Sequence, residues 1–170
     1  MKLPIRITLT AVVASVALAA CAGKNTKPPA AAQAEQQATT HSENTGKYSV
    51  ESLDTDSCLR QRVVYFDFDK SEIKPEFQAQ IACHADYLRQ FPGARVTLEG
   101  NTDERGTREY NLGLGERRGN AVDSALGAAG ASSSQLNVVS YGEERPVCKE
   151  HNESCWQKNR RVEIVYTAKQ

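Results

Sequence analysis

The sequence has no excess of positive charge and few histidines. Its 170 residues include 21 Lys and Arg against 21 Asp and Glu, which gives a formal net charge of zero at pH 7. Nucleic-acid binding depends on a basic surface, so this balance argues against that class of partner. The three histidines, His41, His84 and His151, form no recognisable catalytic set. His84 follows Cys83 on a predicted helix, and we expect it to pack in the interior.

The sequence also lacks an apolar run long enough for a transmembrane helix, which needs about 20 residues. Residues 7–20 are apolar, but this run is short, follows a start that contains Lys2 and Arg6, and ends in small residues. That order is typical of a signal peptide, which we predict over residues 1–20; the alternative is a membrane anchor. Removal of residues 1–20 would leave the rest of the chain slightly acidic.

The residues around Cys21 resemble the lipobox of bacterial lipoproteins. Leu18, Ala19 and Ala20 directly precede this cysteine. The resemblance implies that Cys21 is lipidated on its thiol and becomes the acylated N-terminus after cleavage. It also implies the outer membrane, because Ala22 stands where an aspartate would favour retention at the inner membrane. Several acyl chains anchor a protein firmly, whereas a single chain binds only marginally.

Residues 21–47 are rich in Ala, Gln, Thr, Pro and Asn and almost free of large apolar side chains. A segment of this composition cannot bury enough surface to fold, so we predict a flexible tether. The folded domain is expected over residues 48–170, which is an ordinary length for one domain.

Four cysteines remain once Cys21 is set aside, and an even number in an exported chain indicates disulfides. Three pairings are possible. We favour Cys58 with Cys83 and Cys148 with Cys155, because the second pair lies within one loop. The alternative for that loop is zinc, since Cys148, His151 and Cys155 have ligand-like spacing. Three ligands in an oxidising compartment make a poor structural zinc site, so no metal is expected.

Strand and helix patterns alternate along the predicted domain, and this alternation predicts an α/β sandwich with a single sheet. Runs rich in β-branched and aromatic residues predict strands over residues 62–68, 95–100, 136–140 and 161–167. Apolar residues at helical spacing predict helices over residues 74–90 and 107–129 and a short helix over 152–158.

The stretch from residue 100 to residue 118 is the most informative part of the sequence. A predicted strand ends at a glycine and is followed by a loop rich in charged residues. Thr107 then offers an N-cap for the next helix. Arg118 falls on the apolar face of that helix, four residues from Leu114 and four from Val122. A buried cation needs an anionic partner, and Asp103 is the nearest candidate.

Two interpretations of Arg118 and Asp103 follow. They form an internal ion pair, or they stand at opposite ends of a pocket for a zwitterion. An amino acid headgroup is such a ligand, because its ammonium suits a carboxylate and its carboxylate suits a guanidinium.

Other charged residues flank the predicted strands. Asp67 and Asp69 alternate with Phe66 and Phe68, which predicts acids on one face of the strand and aromatics on the other. Asp69 is expected near Asp103, although Asp69 or Ser71 could instead cap the following helix. Before the last strand, Arg160 and Arg161 predict either a solvated cationic rim or a surface that steers an acidic polymer.

Three motifs in order resemble those of OmpA-like peptidoglycan-binding domains, and together they cover about residues 60 to 167. They are Tyr65-Phe66-Asp67-Phe68-Asp69-Lys70, then Gly100 to Ala121 with its Thr-Asp-Glu-Arg-Gly-Thr core and Tyr110-Asn111, and last Ser140-Tyr141-Gly142-Glu143-Glu144 with Lys158-Asn159-Arg160-Arg161-Val162. The resemblance implies a βαβαβ domain whose mixed sheet carries its helices on one face. Gly119 departs from the pattern, because alanine is common there.

The same resemblance implies a ligand and a set of site residues. Asp103 and Arg118 match positions that hold the diaminopimelate of the peptidoglycan stem peptide. Phe68, Asp69, Arg105 and Leu114 match positions that line the same pocket. No cofactor is implied.

The resemblance also implies partners: peptidoglycan of the diaminopimelate type, the outer membrane through the lipid anchor, and the periplasmic β-propeller protein TolB. The expected role is to hold the outer membrane to the cell wall. The alternatives are a cell-wall hydrolase that uses Asp69 and Asp103, and a scaffold whose main ligand is a protein. An enzyme is not expected, because an arginine beside both carboxylates would lower the pKa that a general acid needs raised.

Overall fold

The computed structural model describes residues 46–170. The predicted signal peptide, the lipidation site Cys21 and all but the last two residues of the predicted tether lie outside this range. Within it, every helix is too short or too polar to cross a membrane.

One mixed sheet of four strands forms the framework. The strand order is β1-β4-β2-β3, with β2 parallel to β3 and β4 antiparallel to both β1 and β2. The mixed sheet expected from the sequence is therefore confirmed. The strands are β1 (Val63–Tyr65), β2 (Arg95–Asn101), β3 (Leu136–Gly142) and β4 (Arg161–Ala168).

Two long helices and one short one connect these strands, and a further short helix precedes β1. The helix predicted over 74–90 is divided into a 3₁₀ turn, which Pro75 begins, and an α-helix that ends before Phe91. A second 3₁₀ turn, Ser133–Gln135, precedes β3. The α-helices are α1 (Ser52–Thr55), α2 (Gln78–Gln90), α3 (Arg108–Ala128) and α4 (Glu153–Asn159).

The hydrophobic core lies between one face of the sheet and the helices α2 and α3. Alternate residues of β2 are buried, whereas Thr97 and Glu99 between them are only half-buried. This alternation places both long helices on one face of the sheet, as expected. The core residues that illustrate it are Val96 and Leu98 of β2, Val162 and Ile164 of β4, Ile81 and Leu88 of α2, and Val122 and Leu126 of α3.

The contact between β2 and α3 is close enough to require glycine. A Cβ built on Gly100 would lie 2.0 Å from the carbonyl oxygen of Gly115, which is backbone and cannot rotate away. The absence of both side chains lets the helix lie directly on the strand. This approach fixes the start of α3 beside the end of β2.

The first strand is shorter than predicted. β1 ends at Tyr65; the backbone N–H of Phe66 still donates to the carbonyl of Arg160 in the register of β1 with β4, but the carbonyl of Phe66 accepts from the Arg160 side chain. Phe66 is fully buried, whereas Phe68 is 54% exposed. The prediction that both aromatic rings lie on one face of a strand and both acids on the other is therefore wrong. Asp69 adopts the left-handed conformation with φ of 57°, which any continued strand would exclude.

Neither Asp69 nor Ser71 caps the next helical segment. Lys74 occupies the N-cap position there, and it makes no side-chain capping hydrogen bond. That alternative for Asp69 is therefore wrong, and its carboxylate is available for other contacts.

The two favoured disulfides are both present, Cys58–Cys83 and Cys148–Cys155. Because both sulfurs of the second pair are in a disulfide, they cannot act as the thiolate ligands of the alternative zinc site. His84 is buried and lies 2.9 Å from the hydroxyl of Tyr166 and 3.0 Å from the carbonyl of Gln61. Burial lowers the pKa of His84, which fits its predicted role in packing.

We expect Gly100→Ala to destabilise the domain by about 2 kcal/mol or more, because the strand and helix must separate to admit the methyl group. The matched control is Gly127→Ala in α3, where a Cβ meets nothing within 4 Å. There, alanine should stabilise the helix by about 0.5–1 kcal/mol. Urea unfolding of both variants measures this difference, and equal effects would contradict the proposed close contact.

Candidate functional site

A cavity of about 220 Å³ opens where β2 ends and α3 begins. All six residues predicted to line a pocket do so, although they come from three separate parts of the sequence. The lining residues are Phe68, Asp69, Thr102, Asp103, Arg105, Gly106, Tyr110, Asn111, Leu114 and Arg118. Whether these residues bind a ligand remains a prediction.

The start of α3 is fixed by its N-cap. The side-chain hydroxyl oxygen of Thr107 accepts a hydrogen bond from the backbone N–H of Tyr110 at 3.2 Å, as predicted. Leu114 then lies in the second turn of the helix with 6% exposure, and Arg118 lies one turn further on the same face. The helix therefore directs an apolar group and a guanidinium toward the same cavity.

Arg118 is fully buried, and backbone carbonyls hold its guanidinium. Its Nε donates to the carbonyl of Lys70 at 2.8 Å, its Nη1 to Asn101 at 3.0 Å and its Nη2 to Asp67 at 3.0 Å. No ion pair among residues 46–170 includes Arg118, so the predicted internal pair with Asp103 is wrong. Burial lowers the pKa of Arg118 to about 10, and the group stays charged at neutral pH.

Asp103 is 3% exposed and accepts from two other arginines. Arg105 binds it with Nη2 at 2.7 Å and Nε at 3.2 Å, and Arg160 binds it with Nη1 at 3.2 Å. The backbone N–H of Arg105 adds a further hydrogen bond at 3.1 Å. Burial alone would raise the pKa of Asp103, but these hydrogen bonds outweigh it and hold the pKa below its usual value.

The predicted solvated rim at the start of β4 is wrong. Arg160 and Arg161 are 3% and 5% exposed, so neither forms a cationic surface that could steer a polymer. Arg160 donates from Nη2 to Glu153 at 2.6 Å and from Nε to the carbonyl of Phe66 at 3.1 Å. Arg161 forms an ion pair with Glu163. Both arginines are structural parts of the framework behind the cavity.

An aromatic ring and a carboxylate form the exposed edge of the cavity. The guanidinium carbon of Arg105 lies 3.9 Å from the centroid of the Phe68 ring, a cation–π contact. Asp69 accepts a hydrogen bond from the hydroxyl of Tyr110, and this bond raises the pKa of the tyrosine. Asp69 thus lines the cavity on its solvent-exposed side.

Several lining and supporting residues were given no role by the sequence. Thr102 and Asn111 are buried at the cavity wall, and Tyr110 stands at its edge. The pair Tyr110-Asn111 was part of the family motif, and that was the only signal for them. Trp156 lies 4.2 Å from the guanidinium carbon of Arg105, a contact that no local pattern indicates.

Comparison with known proteins gives a consistent result. The model of the OmpA family matches residues 65–160. The peptidoglycan-associated lipoprotein of Pasteurella multocida (strain Pm70) is 41% identical over 155 residues, which are 91% of this chain and 94% of that protein. The peptidoglycan-associated lipoprotein of Pseudomonas putida is 52% identical over 114 residues, 66% of this chain and 68% of that protein.

A solved structure is similar as well. The crystal structure of the peptidoglycan-associated lipoprotein from Burkholderia pseudomallei shares 45% identity and a TM-score of 0.67. The match covers 68% of this chain and 98% of that one. The mixed sheet and its helices therefore match a known OmpA-like fold.

We expect Asp103→Asn to lower the free energy of unfolding by about 3 kcal/mol at pH 7, because it removes the buried carboxylate of two arginines and leaves them only the exposed Glu153. The folded pKa of Asp103 is depressed, so its stabilisation is present above the unfolded pKa of about 3.9 and is lost as pH falls through the folded value. The difference from wild type should therefore shrink toward pH 2.

The matched control is Asp86→Asn, which removes two surface ion pairs, with Lys47 and Arg89. It should cost less than about 1 kcal/mol at any pH. Urea unfolding at pH 7 and pH 2.5 compares the two variants. A pH-independent effect of Asp103→Asn would show that its charge contributes nothing.

Proposed function

The chain belongs to the OmpA family, among its peptidoglycan-associated lipoproteins, and on that premise we propose that the cavity binds the diaminopimelate of the peptidoglycan stem peptide without covalent change. The free end of that residue carries an ammonium and a carboxylate. Two carboxylates, Asp69 and Asp103, and two guanidiniums, Arg105 and Arg118, line the cavity. Their charges sum to zero, which suits a zwitterion better than a simple anion or cation.

The observation that carries this proposal is the charge on Arg118. The guanidinium is fully buried and is compensated by three carbonyl dipoles, with no carboxylate paired to it in the described part of the chain. A buried cation whose hydrogen-bond partners are neutral carbonyls attracts an anion strongly when it lies at the base of a cavity, because the surrounding dielectric is low. A ligand carboxylate in the cavity would supply the missing charge.

The ammonium would bind at the opposite side of the cavity. Asp69 is exposed, and a hydroxyl is its one side-chain partner among residues 46–170, so its negative charge is free to attract a cation. Asp103 is already paired with Arg105 and Arg160. Its negative charge therefore attracts the ligand ammonium through space more than through a direct contact. The ligand therefore meets a negative group near the entrance and a positive group at the base.

This arrangement predicts a choice between two types of cell wall. Lysine in place of diaminopimelate keeps the ammonium but lacks the second carboxylate, so Arg118 would gain no carboxylate partner from it. Removing one partner of a buried charged contact costs far more than removing a surface contact. Diaminopimelate-type peptidoglycan is the preferred ligand under this proposal.

The chain is a binding protein and not an enzyme, as its family membership indicates. The alternative of a cell-wall hydrolase would need one carboxyl group with a raised pKa next to an ionised one. The pKa of Asp103 is instead lowered by its arginine partners. The ligand is therefore released as it was bound.

Family likeness supports the wider role. Lipidated at Cys21 and anchored in the outer membrane, the domain would face the periplasm and link that membrane to the wall. It would act in the Tol-Pal system, with TolB as its protein partner, in envelope integrity and cell division. This part of the proposal rests on the resemblance of the sequence motifs to the family and not on a surface of the domain.

We expect the protein to sediment with isolated diaminopimelate-type sacculi and to bind lysine-type sacculi at least roughly 10-fold more weakly, which corresponds to the loss of one buried charged contact. Arg118→Gln should lower binding to a similar degree. Because that variant also leaves three carbonyls without donors, its folding is checked by circular dichroism.

Asp69→Asn tests the same pocket without touching the interior, since Asp69 is exposed. It should weaken binding several-fold, whereas Arg60→Gln, an exposed change in the segment between α1 and β1, should not. Equal binding of both types of sacculi, or full binding by a folded Asp69→Asn variant, would contradict the proposal.

We expect Cys21→Ser to move the protein from the membrane fraction to the soluble fraction, because the acyl chains attach to this thiol. The paired variant Cys58→Ser and Cys83→Ser, which removes a disulfide instead, should remain with the membrane. Fractionation with immunoblotting measures both. Membrane partition of the Cys21→Ser variant would place the anchor elsewhere.

A further inference from the structure

Arg105 at the edge of the cavity is held between two aromatic rings. Its guanidinium carbon lies 3.9 Å from the centroid of the Phe68 ring and 4.2 Å from that of Trp156. We call these three residues the Arg105 stack. With a ring on each side, the guanidinium plane has little freedom to rotate, and an aromatic face stabilises a cation beside it.

One edge of the same guanidinium is committed to Asp103. Nη2 and Nε donate to its two carboxylate oxygens at 2.7 and 3.2 Å. Nη1 makes no hydrogen bond with any residue in the range 46–170, and the side chain is 31% exposed. Nη1 is therefore the donor that Arg105 can offer to a ligand carboxylate.

Trp156 belongs to a small loop that is closed twice. The disulfide joins Cys148 to Cys155, the residue before the tryptophan. The side chain of Asn159 accepts from the backbone N–H groups of Val147 and Cys148 and donates to the carbonyl of Cys148. A helix as short as α4 has little stability alone, so these closures hold it in place.

A hydrogen bond fixes the indole within this loop. The Nε1 group of Trp156 donates to the carboxylate of Glu104 at 2.8 Å, and His151 of the same loop contacts that carboxylate at 2.6 Å. Glu104 directly precedes Arg105 in the chain. The loop is therefore attached to the segment that carries the guanidinium, as well as stacked on it.

We propose that Trp156 is a positioning residue for the ligand and that the Cys148–Cys155 disulfide sets the affinity of the cavity by keeping Trp156 on Arg105. The inference rests on the proposed function, because it needs a ligand with a carboxylate. A guanidinium already held in one orientation loses less freedom on binding, so the stack improves affinity without touching the ligand.

Trp156→Leu removes the ring and keeps an apolar side chain, and we expect it to weaken binding roughly 3- to 10-fold, the size of one cation–π contact. Trp156→Phe restores the ring and should recover most of the affinity. The probe is the soluble tripeptide L-alanyl-D-glutamyl-meso-diaminopimelate, measured by calorimetry. Thermal unfolding is recorded alongside, because a purely structural role would lower the melting temperature of both variants and leave affinity unchanged.

Trp156 is the only tryptophan of the chain, so its fluorescence reports the stack directly. Adding the tripeptide to the wild-type protein should change this emission, since the ligand contacts Arg105. In Arg105→Gln the same addition should leave the emission unchanged. An unaltered emission in a wild-type protein that binds the tripeptide would overturn the inference.

The disulfides provide a matched pair of variants in case Trp156→Leu fails to fold. Replacing Cys148 and Cys155 by serine should weaken binding as much as Trp156→Leu, and the two changes together should not add. Replacing Cys58 and Cys83 by serine should lower stability but leave affinity intact. That disulfide joins the segment between α1 and β1 to α2, and neither cysteine lines the cavity.

The outcomes separate the two proposals. If the wild-type protein binds no tripeptide, the proposed function fails and this inference fails with it. If the wild-type protein binds and the Cys148 and Cys155 variant binds equally well, the inference is overturned and the proposed function stands.

Discussion

The buried guanidinium of Arg118 connects the fold to the site. It donates to the carbonyls of Asp67 and Lys70 in the loop after β1 and to Asn101 at the end of β2. Two segments that are distant in sequence, the loop after β1 and the end of β2, are thereby fixed to α3. A long apolar side chain could fill the same volume, but it would leave those carbonyls without donors at a cost of about 1–3 kcal/mol each.

The same interaction leaves a positive charge that no carboxylate of residues 46–170 pairs with directly. Burial lowers the pKa of Arg118 to about 10, which is a measure of how poorly the charge is accommodated. Asp103 is in the opposite situation, since two arginines hold it. The positive and negative groups of the cavity are therefore held in fixed positions before any ligand binds. A site preorganised in this way spends less free energy on ordering its side chains during binding.

The sequence predicted the elements that depend on local pattern. The limits of α3, its cap at Thr107 and the inward position of Arg118 follow from spacing and capping rules that act within a few residues. The six predicted pocket residues also share one cavity. The family motif indicated which residues to choose, and the predicted ends of strands and helices indicated where they lie.

What the sequence could not give depends on contacts between distant segments. The loop after β1 is shaped by the backbone and side chain of Arg160, which bind the backbone N–H and the carbonyl of Phe66 respectively. The carbonyl of Phe66 binds the side chain of a distant arginine, and nothing in the residues around Phe66 indicates that contact. The burial of Arg160 and Arg161 was missed for the same reason, since paired arginines in a row are more often solvated.

The two disulfides contribute to the domain in different ways. Cys58 and Cys83 are 25 residues apart and Cys148 and Cys155 are 7 apart. On the chain-entropy model these separations are worth about 3.5 and about 2.5 kcal/mol, so the shorter crosslink adds less to global stability. The value of the shorter crosslink therefore lies in where it holds Trp156, beside a guanidinium that faces the cavity.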